Sequence, residues 1–140
     1  MEDIVIRGSG GLAREVAFLI ERINLNKKRW NLLGYVDMGD VGKIKYGYKV
    51  LGDDSWFQTE KNINCVIAIG LPMVRYKVYK SLELYSLSYP NIIDPSAIIA
   101  KDATLGIGNI ITGPSRISVN VRIGDFCLLN GNCSLGHRCV

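Results

Sequence analysis

The chain has 140 residues, 48% of them hydrophobic and 21% charged, with a formal net charge of +4. That length holds one ordinary domain or two small ones around a packed core. No apolar run approaches the ~18 residues of a membrane span and no basic segment followed by an apolar core opens the chain, so neither membrane insertion nor secretion is expected and the protein is placed in the cytoplasm. Four cysteines in such a chain read as free thiols. The basic stretches at 27–29, 43–49 and 75–80 are scattered among apolar positions and read as solvated faces, so no nucleic-acid partner is expected.

The first 90 residues alternate strand and helix signals. Ile4 to Ile6 is a short apolar run that ends in Arg7-Gly8-Ser9-Gly10-Gly11, a buried strand entering a tight turn. Leu12, Val16, Leu19, Ile20 and Ile23 then recur at helical spacing, and the polar stretch from Asn24 to Trp30 ends that helix. Two further strands, Leu32 to Val36 and Cys65 to Ile69, stop at Asp37 and Gly70. Between them Tyr46-Gly47-Tyr48 reads as a turn in a small excursion closing at Val50-Leu51-Gly52. Val74, Val78, Leu82 and Tyr85 predict a second helix. The order is that of a Rossmann-like, doubly wound α/β domain spanning residues 1–90.

From Asn91 the period becomes six. Ile93, Ile99, Leu105, Ile111, Ile117, Ile123, Leu129 and Leu135 follow one another without a miss, and four residues after each comes a mostly small residue: Ala97, Ala103, Asn109, Ser115, Val121, Cys127, Cys133, Cys139. Residues 91–140 therefore predict a hexapeptide-repeat parallel β-helix, each coil laying a short strand on each wall. The clustered cysteines fill corner positions that want small apolar groups, and their spacing lacks the two-residue separation of zinc ligands, so no metal is expected. Cys65, inside a strand run, has the same explanation.

Two constellations carry chemistry. Gly8-Ser9-Gly10-Gly11-Leu12-Ala13 follows a strand, opens a helix and fits G-x-G-x-x-A, with Asp37 at the end of the next strand. Glycines let backbone amides approach phosphate, and Asp37 can accept from a ribose or a base edge. This pattern raises NAD as a cofactor, but an α/β half that ends near residue 90 suits one nucleotide better than two; a turn that merely packs helix on strand is the remaining alternative. His137, the only histidine, stands two residues after Leu135 on the outward or corner side of its hexad. It is the one group of the repeat region with a free pKa near neutrality, suited to a general base, though a surface role fits the residues equally.

GSGGLAREV at 8–16, LLGYVD at 32–37, VLGDD at 50–54, VIAIG at 66–70, YPNIIDPSAII at 89–99 and the hexads through LLNGNCSLGH closely resemble the sialic acid O-acetyltransferase and bacillosamine-pathway sugar N-acetyltransferase family, in colinear order over essentially the whole chain. The resemblance implies a Rossmann-like domain that holds a nucleotide sugar, then a left-handed β-helix, assembled as a homotrimer when full length, with active sites between subunits. It further implies acetyl-CoA as co-substrate, Gly8, Ser9, Gly10, Gly11 and Gly70 near the substrate, Asp37 facing the base, His137 as general base and Asn130 assisting it. Two positions depart from the family pattern. Arg138 stands where an acid usually orients the histidine, and Met38 where a second acid often follows Asp37. Relatives also continue for several more coils, so the β-helix is expected to be incomplete, and this chain is expected to be a truncated form with impaired activity. The competing readings are a non-catalytic nucleotide-sugar binding module and, on the glycine turn and Asp37 alone, a fragment of an NAD-dependent oxidoreductase.

Overall fold

A computed structural model describes residues 1–131 and 134–136. Six strands form one sheet: β1 (Glu2–Arg7), β2 (Trp30–Val36), β3 (Ile44–Lys45), β4 (Tyr48–Gly52), β5 (Ile63–Ile67) and β6 (Leu87–Ser88), in the order β3-β4-β2-β1-β5-β6. All neighbours are parallel except the β3–β4 hairpin. Successive side chains of a strand point to opposite faces, and in β1 both are apolar. Ile4 and Ile6 pack beneath helix α1 (Gly11–Asn26) with Val16, Leu19 and Ile20, whereas Val5 joins Phe57, Cys65, Ile67 and Leu82 on the other face. A strand buried on both faces reads as a continuous apolar run, which is how β1 and β5 look in the sequence.

Two expectations need correction. The excursion before Gly52 is part of the sheet: Tyr46 and Gly47 both adopt left-handed backbone (φ 51° and 80°), closing a two-residue hairpin whose second strand, β4, runs parallel to β2. The helix expected through Tyr85 is helix α2, Pro72–Ser81, and stops earlier. Leu82 is buried beyond its end, its N–H donating to the carbonyls of Val78 and Tyr79, while Val74 is exposed. The periodicity merged a helix of nearly three turns with Leu82 and Tyr85, which pack beyond its end.

Beyond β6 come eight two-residue strands six residues apart, β7 (Ile92–Ile93), β8 (Ile98–Ile99), β9 (Thr104–Leu105), β10 (Ile110–Ile111), β11 (Arg116–Ile117), β12 (Arg122–Ile123), β13 (Leu128–Leu129) and β14 (Ser134–Leu135). They stack in three parallel walls, β7-β10-β13, β8-β11-β14 and β9-β12. Ile92 pairs with Ile110 and Ile110 with Leu128, so one coil takes 18 residues, three hexads. This is a left-handed parallel β-helix following an α/β Rossmann-like domain. All eight aliphatics of the hexad line one interior, with Ala97, Ala103, Val121 and Cys127 packed around them. Cys133, Cys139 and His137 lie outside the described residues.

At one corner the hexad's small position is taken by Asn109, which is fully buried. Its side chain repeats, one coil up, what Asn91 does below it. The Asn91 Oδ1 accepts from the Asn109 N–H and the Asn109 Oδ1 from the Cys127 N–H, at 2.9 and 2.8 Å. The Nδ2 groups donate to the Gly106 and Gly124 carbonyls. A buried amide that meets two backbone groups on the next coil cannot be replaced by a hydrocarbon without orphaning both. Asn109→Ala is therefore expected to destabilise the protein by about 1–3 kcal/mol, read as an earlier denaturant midpoint. A midpoint equal to wild type would show the corner to be wet.

Candidate functional site

Strands β2, β1 and β5 end side by side, where the sheet order reverses direction about β1, and ligands of open α/β sheets sit outside such ends. The glycine turn occupies that place. The Gly8 N–H donates to the Val36 carbonyl and the Ala68 N–H to the Arg7 carbonyl, tying all three strand ends together. Gly8 has φ +119°, and a Cβ there would lie 2.7 Å from the Ala68 carbonyl oxygen, so glycine is required on both counts. Gly10, Gly11 and Gly70 are different: a Cβ on any of them would meet no atom within 4 Å, which leaves space above the turn. Helix α1 starts at Gly11 with no side-chain cap and no acid in its first turn.

Asp37 is fixed in place. Its carboxylate accepts from the Ser9 hydroxyl at 2.5 Å, from the Met38 N–H at 2.8 Å and from the Arg7 guanidinium at 3.4 Å. Arg7 is buried, and its Nε and Nη2 donate to both oxygens of Asp54 at 2.6 and 3.3 Å. Lys45, on the hairpin, donates from Nζ to the Ser9 carbonyl (3.1 Å), the Ser9 hydroxyl (3.2 Å) and Asp40 (2.7 Å). Nearby, the Cys65 thiol is wholly buried, and desolvation pushes it up to about 12, so it is no nucleophile.

Asn130 is elsewhere. It lines a cleft of about 730 Å³ between α1 and the β-helix, whose walls include Phe18, Leu19, Arg22, Asp94, Thr112 and Pro114, and none of Gly8, Ser9, Gly10, Gly11, Asp37 or Gly70. Among its walls is an ion pair joining the two parts of the chain: Arg22 of α1 donates to both oxygens of Asp94 at 2.7 and 3.2 Å. Asp94 also accepts from the Ser96 N–H and hydroxyl. A second cleft of about 400 Å³ lies between α2 and the coil, with Arg75, Tyr76, Tyr79, Phe126 and Cys127 on its walls. Among the described residues no three histidine, cysteine or acidic side chains gather as metal ligands.

The model of the PglD N-terminal domain family matches residues 3–82, more than half of the chain and the whole of the glycine-turn site. The chain belongs to the PglD N-terminal domain family. No curated protein matches it. Among solved structures, the acetyltransferase domain of PglB from Neisseria gonorrhoeae in complex with acetyl coenzyme A superposes with a TM-score of 0.86 at 17% identity, over 98% of this chain and 65% of that one, a likeness of fold. A histidine-to-asparagine mutant of perosamine N-acetyltransferase from Caulobacter crescentus, in complex with CoA and GDP-perosamine, gives a TM-score of 0.80 at 25% identity over 97% and 66%. PerB from the same organism, in complex with CoA and GDP-perosamine, gives 0.75 at 25% over 99% and 68%. The chain thus spans about two-thirds of the length of the structures it resembles. No helix among its described residues is long and apolar enough to cross a membrane.

In this PglD-family domain three charged residues around the turn were missed from sequence. Arg7 sat just before the glycine motif, Asp54 at the end of a VLGDD stretch to which no role was given, and Lys45 in a stretch read as a solvated face. Only the doublet of a buried strand ending in arginine signalled the first, because such a charge must find carboxylates.

The Arg22–Asp94 pair is testable through pH. The Arg22 hydrogen bond, and then the Ser96 N–H, hold the Asp94 carboxyl down at about 2 against 3.8, while burial opposes them. A depressed folded-state value contributes stability that is present above the unfolded value and lost as pH falls toward the folded one, here between about pH 4 and pH 2. Asp94→Asn should therefore lose about 1–3 kcal/mol at neutral pH and show a shallower loss over that window in denaturant titrations. Equal acid profiles would remove the pair from the stability of the joint.

Proposed function

We propose that this protein holds a nucleotide sugar with residues 1–90 and that residues 91–140 belong to an acetyl-CoA-dependent acetyltransferase acting on an amino or hydroxyl group of that sugar. The observation that carries the reading is the open glycine turn, Gly8 to Gly11, beside an Asp37 fixed by Arg7 and Ser9, in a chain that superposes nearly end to end on proteins crystallised with CoA and a GDP-sugar. Phosphates would rest on the turn near Gly70, with Asp37 toward the base.

Transfer asks little beyond placement. A nitrogen or oxygen lone pair of the sugar attacks the thioester carbonyl, the C–S bond breaks and CoA leaves as its thiolate. His137 takes the proton released by the nucleophile and returns it to the thiolate, while Asn130 positions the reacting groups. That a histidine was chosen for substitution in the perosamine enzyme supports the role. The cleft that Asn130 lines contains no residue of the glycine turn, a separation that supports active sites completed between neighbouring copies of a trimer.

Activity is measured as CoA release from acetyl-CoA with amino-sugar nucleotides, and binding by calorimetry. His137→Asn should lower turnover at least about a hundredfold while the nucleotide-sugar Kd stays within about twofold of wild type. Unchanged turnover would sink the base assignment. Nucleotide-sugar binding without CoA binding by this chain would make it a binding module instead, and an NAD-induced thermal shift would favour the oxidoreductase reading.

A further inference from the structure

Lys45 is placed with more structure than a solvated lysine needs. Its backbone carbonyl accepts from the hydroxyl of buried Tyr35 at 3.0 Å. The next two tyrosines of the hairpin, Tyr46 and Tyr48, both donate to Glu21 on α1 at 2.9 and 3.0 Å. Burial, and then the bond to Glu21, push the Tyr48 hydroxyl up to about 12, so it remains a donor throughout the neutral range. The hairpin is thus pinned to the helix that the glycine turn opens. The Lys45 side chain, 24% exposed, is delivered to Ser9 in the middle of that turn.

An ammonium has three donors, and here all three are taken: two by Ser9 and one by Asp40. The partners differ in kind. Ser9 is buried and bonded to Asp37, whereas Asp40 is 42% exposed, stands on a left-handed backbone (φ 59°), and has a second cation in Lys43 at 3.1 Å. Asp40 can leave Lys45 and keep an ion pair; Ser9 cannot leave. The space over Gly10 and Gly11 lies on the same turn. A ligand oxygen taking Asp40's place on Lys45 must carry comparable negative charge, or the quarter-exposed ammonium loses its counter-charge.

We infer that Lys45 is the specificity-determining residue for anionic ligands at the glycine turn, exchanging its bond to Asp40 for one to a ligand diphosphate and thereby selecting nucleoside-diphosphate sugars over neutral sugars. The inference rests on the nucleotide-sugar reading above and names the residue that sets its charge preference. Asp40 acts as a resident counter-ion that competes with the ligand. A residue that merely braced the turn would lose binding whenever either partner of the Lys45–Asp40 pair was removed, whereas an exchange makes the two variants move in opposite directions.

The test is calorimetric titration of the full chain with UDP and with GDP. Lys45→Met should weaken the preferred diphosphate by roughly ten- to a hundredfold, Lys45→Arg should recover most of that, and Asp40→Asn, which keeps the left-handed backbone accessible, should tighten binding several-fold. Far-ultraviolet circular dichroism checks that each variant is folded. If Lys45→Met binds within about twofold of wild type, or Asp40→Asn weakens binding alongside it, the exchange is overturned and the nucleotide-sugar reading survives. If wild type binds neither UDP nor GDP, that reading fails first and this inference with it.

Discussion

The arrangement of the molecule depends on one wall of the β-helix being buried on both faces. Ile93, Ile111 and Leu129 point into the coil interior, and their neighbours Ile92, Ile110 and Leu128 point outward into the core beneath α1. Helix α1 therefore serves two structures at once, the sheet through Val16, Ala17 and Ile20 and the first wall through the same apolar core. Burying a large aliphatic side chain contributes about 1.5–3 kcal/mol, so this shared surface outweighs the Arg22–Asp94 pair, which orients the joint more than it holds it. The cleft containing Asn130 is a consequence, being the gap left where α1 parts from the coil.

The second constraint is electrostatic. A guanidinium as buried as that of Arg7 must be compensated, and it is compensated by two carboxylates rather than one. Asp37 thereby gains position and gives up acceptor capacity. A carboxylate offers about four acceptor directions, and the bonds from Ser9, Met38 and Arg7 claim three. What Asp37 can still offer a ligand is a single, well-aimed acceptor, a geometry for recognition more than for charge. The positive side of the balance falls to Lys45, whose counter-charge is the exposed Asp40 rather than the buried network.

How far the sequence spoke differs from element to element. The hexads were fully legible, because a period of six with one aliphatic per turn has no rival among helices or hairpins, and each of the eight aliphatics lies where that period puts it. The glycine turn was legible for the same kind of reason: glycines after a strand and before a helix have few other uses. Of the hairpin only the turn at Tyr46-Gly47 was legible; its pairing into the sheet was not, since β3 has only two residues and carries no alternation to mark it. The missed lysine follows directly. A basic residue immediately before a turn carries no mark of where its ammonium goes, and that is settled by Tyr35 and Glu21, 10 and 24 positions away in the chain.

The coil had one further message, written at a period of 18 rather than six. The residue before each inward aliphatic points outward, and down the three walls these are Ile92, Ile110, Leu128, then Ile98, Arg116, Ser134, then Thr104, Arg122. Only the first set is aliphatic throughout, and only that set is covered. An outward face that stays apolar for three successive coils costs solubility in every coil unless something packs on it, so that pattern alone selects the wall against which the preceding domain must lie. The lone Ile98, exposed beside an arginine and a serine, lacks that repetition and requires no cover. Reading the outward positions by coil, after the inward ones by hexad, ties α1 to the first wall and leaves the other two free for solvent or for further chains.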